Sequence, residues 1–131
     1  EVVTMVNSIV IPLEHEEQAA FVQYAAYYLP TDLFDLLWAN PNGGKRHIKT
    51  AMDLRAEGVR AGVPDITFAY PAQGYHGLYI EMKRRMGGKV SEAQKLVQDR
   101  LRSVGYRVEV CRGCDEAIKV LRDYLGDKEA A

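Results

Sequence analysis

Asp65, Glu81 and Lys83 have the types and the spacing to do metal and phosphate chemistry. Glu81 and Lys83 are two residues apart, so in an extended strand they share a face. Sixteen residues separate Asp65 from Glu81, which suits two short strands and a turn. Folding such a hairpin puts Asp65 beside Glu81. Two adjacent carboxylates repel unless a cation sits between them. A hard divalent cation such as Mg2+ or Mn2+ suits an all-oxygen site. A metal held there can bind a phosphate oxygen and activate water. Lys83 can orient or deprotonate that water, or offset charge developing on the phosphate. The same residues also fit a plainer arrangement: a surface strand with an ordinary Glu–Lys pair, and an aspartate in a turn.

The elements that must position these groups follow from the pattern. Leu78, Ile80 and Met82 alternate with Tyr79, Glu81 and Lys83, which predicts a strand. Asp65 to Tyr70 alternates likewise, and Pro71 to Gly77 supplies the turn. A helix is predicted from about Glu14 to Leu29, ended by Pro30, with Phe21, Val22, Ala25 and Leu29 as its apolar stripe. Stepping back along that stripe lands on Gln18 and then Glu14. A carboxylate on a face due for burial is costly unless paired or metal-linked, so Glu14 is a candidate third carboxylate. Its first-turn position also suits simple complementation of the helix dipole.

Leu33 to Ala39 reads as a strand and Ile48 to Glu57 as a helix, with Gly58 just past its end. Ser91 followed by Gln94 makes a capping box for a helix running to about Val104. Gln94 lines up with apolar Val97, Leu101 and Val104, so it too lies on a stripe due for burial. Tyr106 to Cys111 is a strand, and Asp115 to Leu125 a closing amphipathic helix. The order predicts an α/β layer arrangement around a mixed sheet.

Bulk properties narrow the class. The 131 residues fit one domain, here 1–131 with its core at about 14–125. No run of 18 apolar residues is present, so a membrane span is not expected. The start of the chain shows neither a basic leader nor a small-residue cleavage site, and a cytoplasmic setting is the expectation. A net charge of −1 argues against coating nucleic acid by charge alone, but a local basic surface remains open. Arg84, Arg85 and Lys89 extend one from Lys83. Asn42, Gly43, Gly44, Lys45 and Arg46 form either a simple turn or a loop whose backbone approaches phosphate. One Cys-x-x-Cys pair, Cys111 and Cys114, with three scattered histidines is a poor structural zinc set.

Several strings, in order and at compatible spacing, carry a resemblance. They are Glu14-His15-Glu16-Glu17-Gln18, Pro41-Asn42-Gly43-Gly44, Gly58 through Asp65, Gly77 through Arg84, Ser91-Glu92-Ala93-Gln94 and Tyr106-Arg107-Val108. Pro64-Asp65 with Glu81-Met82-Lys83 resembles the PD-(D/E)xK nuclease signature, and the whole resembles the VRR-NUC family of virus-type replication-repair nucleases. The resemblance implies a restriction-endonuclease-like core, a mixed β-sheet flanked by helices, and dependence on Mg2+ or Mn2+. It implies metal ligation by Asp65, Glu81, the Met82 carbonyl and Glu14. It implies catalytic roles for Lys83, Gln94 and Gln18. Small stand-alone members are similar to phage and bacterial homodimers that act on branched DNA, notably four-way (Holliday) junctions, so DNA repair is the expected setting.

Two other readings compete. A nuclease-like module that binds junctions without cutting would not need the Asp65, Glu81 and Lys83 set intact. A thiol–disulfide oxidoreductase would use Cys111 and Cys114 between a strand and a helix, where a cysteine pKa is lowered. Too little chain follows that pair to finish a thioredoxin-like sheet. For a homodimer, Tyr24, Tyr27 and Tyr28 are available as interface aromatics, with core packing the alternative use.

Overall fold

The computed structural model describes residues 10–41 and 48–127. The loop residues Asn42, Gly43, Gly44, Lys45 and Arg46 fall outside the described residues. The elements, in chain order, are α1 (Glu14–Tyr28), α2 (Thr31–Phe34), β1 (Leu37–Ala39), α3 (Ile48–Ala56), β2 (Ile66–Phe68), β3 (Leu78–Lys83), α4 (Glu92–Ser103), β4 (Arg107–Arg112) and α5 (Cys114–Tyr124).

The strands form one mixed sheet in the order β1-β2-β3-β4. β2 and β3 are the expected antiparallel hairpin, with Ile66 opposite Ile80 and Phe68 opposite Leu78. β4 joins β3 in parallel, Glu81 opposite Val110 and Lys83 opposite Arg112. A parallel neighbour needs a crossover, and α4 supplies it.

Alternation along the strands separates two faces. Ile66, Phe68, Leu78, Ile80 and Met82 are all nearly inaccessible and meet Phe21 and Ala25 of α1 and Ala117, Leu121 and Tyr124 of α5. The opposite face carries Thr67, Tyr79, Glu81 and Lys83. There α4 packs beside β4, and Arg102 donates to the Val108 carbonyl at 2.9 Å.

Two sequence expectations need correction. The strand expected from Leu33 begins only at Leu37; Thr31–Phe34 is a helical turn instead. Pro30, fixed in φ, occupies the N-cap position where a missing N–H costs nothing. The α4 stripe is also less buried than expected. Val104 is 60% exposed, and the fully enclosed side chain of that helix is Gln98. Of the three α1 tyrosines, Tyr24 stacks on Tyr28, whose hydroxyl donates to Asp127, while Tyr27 projects outward.

Candidate active site

Asp65 precedes β2 by one residue, and Glu81 lies one register step beyond the Ile66–Ile80 pair. The hairpin therefore does bring them together. The Met82 N–H donates to Asp65 Oδ2 at 2.7 Å, which fixes the aspartate against β3. On the other side Asn40 N–H donates to the Asp65 carbonyl at 2.7 Å, and the Asn40 amide donates to the Pro64 carbonyl and to Thr67 Oγ1. Asp65, Glu81 and Lys83 are all buried.

Gln94 closes the site from α4. Its Nε2 donates to Glu81 Oε2 at 2.9 Å, and Lys83 Nζ donates to its Oε1 at 3.3 Å. The same Oε1 accepts the Ser91 N–H at 2.8 Å, completing the capping box. One side chain thus ends a helix and bridges two charged groups. Lys83 Nζ also stands 3.8 Å from Glu81 Oε2.

Glu81 Oε1 is enclosed and has no hydrogen-bond partner. Burial, with Asp65 close by, pushes the Glu81 carboxyl up to about 8, against the pull of Lys83. An enclosed carboxylate with a bare oxygen and a carboxylate neighbour suits a hard divalent cation. Among the described residues, no group of three or more His, Cys, Asp or Glu side chains is arranged to hold a metal ion. Mg2+ fits two carboxylates well, because it commonly keeps several waters and uses one or two protein carboxylates.

The three glutamates at the start of α1 are separated by the fold. Glu16 accepts the Leu13 N–H at 2.7 Å and holds the helix start. Glu17 is buried; it accepts the Cys114 N–H and a 2.9 Å ion pair from Arg85. Burial alone would raise the Glu17 carboxyl, but those two partners hold it below the usual range. Glu14 faces the site: partial burial raises its carboxyl, Lys83 opposes this and Asp65 adds to it. Periodicity picked Glu14, whereas the fully buried glutamate is Glu17. Glu14 does not join Asp65 and Glu81 in a ready-made ligand cage. Gln18, one turn on, is half-buried.

The loop before Asp65 is pressed against α4. At Gly62, φ is +92°, and a Cβ there would stand 2.5 Å from the Ala93 carbonyl oxygen. Only glycine permits that approach. The contact registers the loop delivering Asp65 on the helix turn delivering Gln94.

A family model for the VRR-NUC domain matches residues 8–115. The chain belongs to the VRR-NUC domain family. The VRR-NUC match covers most of the described fold, and that fold is of nuclease type. A solved structure titled as a VRR_NUC domain protein aligns with a TM-score of 0.76 at 28% identity, covering 88% of this chain and 89% of that one. No curated protein matches the chain significantly.

Other expected residues have different surroundings. Arg84 donates to the Ile11 and Pro12 carbonyls, and Arg85 pairs with Glu17, so both are engaged within the VRR-NUC fold. Lys89 is exposed. Arg112 donates to the carbonyls of Arg84, Gly87 and Gly88 and ties down the loop after β3. Cys111 and Cys114 are free, buried thiols. Burial pushes Cys111 up to about 12 and raises Cys114 too, the reverse of what thiol catalysis requires.

Proposed function

We propose that the protein is a metal-dependent endodeoxyribonuclease acting on branched DNA, four-way junctions foremost, as a homodimer. The observation that carries this reading is the bare, enclosed Glu81 Oε1 beside Asp65. Asp65 and Glu81 would hold Mg2+ or Mn2+, with the Met82 carbonyl as a further oxygen and Glu14 reaching it through water. The bound ion would supply Lewis acidity at a phosphate oxygen and a lowered water pKa. Lys83 would orient the attacking water and offset charge at phosphorus. Gln94 would hold Lys83 and Glu81 apart at a set spacing.

A cleavage panel of four-way junction, flap, splayed arm and duplex, each with Mg2+, Mn2+ or EDTA, tests the reading. Junction cutting only with metal is expected, and Asp65→Asn or Lys83→Ala should lower the rate by roughly 100-fold or more. Unchanged rates in either variant would sink the site assignment. Tight junction binding without cutting in Mn2+ would favour a binding module instead. A two-fold dimer presents two sites to two opposed strands. Sedimentation that finds only monomer at micromolar concentration would remove the homodimer.

A further inference from the structure

Trp38 is the chain's only tryptophan, and the residue is 46% exposed. It lies on β1, an edge strand of the sheet. Edge strands are normally blunted with charge or proline, so a half-exposed tryptophan there is unusual. Its orientation is set by register. Trp38 pairs with Thr67, and Thr67 with Tyr79. Residues directly opposite share a face, so Trp38 looks out on the side that bears Glu81 and Lys83. The next residue on that face of the chain is Asn40, whose N–H donates to the Asp65 carbonyl at 2.7 Å. One strand spacing and two residues along, the Trp38 backbone stands about 8 Å from that of Asp65. That is roughly two stacked nucleotide steps at 3.4 Å each. Asn40 is anchored on both Pro64 and Thr67, so the interval is rigid.

We infer that Trp38 is a stacking platform for an unpaired nucleobase of the strand whose phosphate lies at Asp65 and Glu81. The inference rests on the nuclease reading and deepens it. An indole stacks any base by its face, but a base inside an intact duplex already has neighbours on both faces. The platform therefore selects DNA with a base free to leave the stack, as at a branch point, a nick or a single strand.

Being unique, Trp38 reports on itself through its emission. Wild-type protein, with Ca2+ replacing Mg2+ to hold off cutting, is titrated with oligothymidine, a splayed arm and a blunt duplex. End-labelled DNA anisotropy measures binding in parallel. Quenching by oligothymidine and the splayed arm is expected, with little by the blunt duplex. Trp38→Ala should weaken oligothymidine binding about tenfold, while Trp38→Phe retains most of it. DNA that binds without quenching, with Trp38→Ala binding like wild type, overturns the platform and leaves the nuclease reading to the cleavage panel. No DNA binding at all overturns both. Emission that follows protein concentration but not DNA overturns the platform and assigns the β1 edge to a second copy of the chain.

Discussion

Burial and Asp65 raise the Glu81 carboxyl from an ordinary 4.5 to about 8, and the sign of the resulting pH dependence is fixed. Between those values the folded metal-free protein keeps a proton that the unfolded chain releases. The Glu81 contribution to stability is therefore fully present below about 4.5 and is lost as pH rises toward 8. Thermal unfolding in EDTA should show a melting temperature that drops across this window, and Glu81→Gln should flatten the drop. Metal uptake requires the deprotonated form, so apparent Mn2+ affinity should climb over the same window with proton release, measurable by calorimetry in buffers of different ionisation heat. Gln94 allows a separation of roles. Ser91→Ala removes only the cap and should cost about 1 kcal/mol in urea unfolding. Gln94→Ala keeps the Ser91 Oγ cap, which accepts a backbone N–H, but removes the bond back to the Ser91 N–H and the bridge between Lys83 and Glu81, and cleavage should fall by about 10- to 100-fold. At this scale Asp65, Glu81 and Lys83 were legible because strand alternation and hairpin length are local rules. Helical period pointed to Glu14, but the glutamate that α1 buries is Glu17. Gln94 was marked both as a capping residue and as a polar group on a stripe due for burial, but its partners Lys83 and Glu81 were not, because they lie on another element 11 and 13 residues away. For the same reason Arg84 and Arg85 read as a free basic run, although their partners are 68 to 73 residues distant.

Helix starts and strand alternation carried most of the element boundaries. The failure at Leu33–Leu36 came from a run that is apolar without being periodic, where Pro30 decided for a helical turn. Val104 failed because the helix ends at Ser103 and Val104 is its non-helical C-cap, off the line of the stripe. Gly62 shows what an element contact demands. Gly62→Ala would drive a methyl into the Ala93 carbonyl at a left-handed φ, and should destabilise by about 1–3 kcal/mol. Cleavage should fall with it, since Asp65 and Gln94 lose their common register. Glu17 makes the opposite pH statement from Glu81. Its carboxyl is held low by Cys114 N–H and Arg85, so its contribution is present above the ordinary carboxylate value and is lost as pH falls through the depressed one. Glu17→Gln should therefore lower stability at neutral pH and lessen the loss in acid, both readable from urea midpoints.

Across the molecule, the antiparallel β1-β2-β3 run is built from neighbouring segments, whereas β4 and α5 arrive last and close the fold on its first helix. Among the described residues no helix is long and apolar enough to cross a membrane. The alternation of α and β elements was enough to indicate a mixed sheet between helices, but not that α1 and α5 would pack on each other. The Glu17–Cys114 bond spans 97 residues, and this has a consequence during synthesis. A ribosome adding roughly 5–20 residues per second needs on the order of ten seconds to travel from Glu17 to Cys114. The Asp65–Glu81 hairpin is made within that interval, while α1 still lacks the α5 surface that seats it. The nascent chain thus carries both carboxylates of the hairpin before it carries Gln94 on α4 and before it carries the α5 surface against which α1 packs.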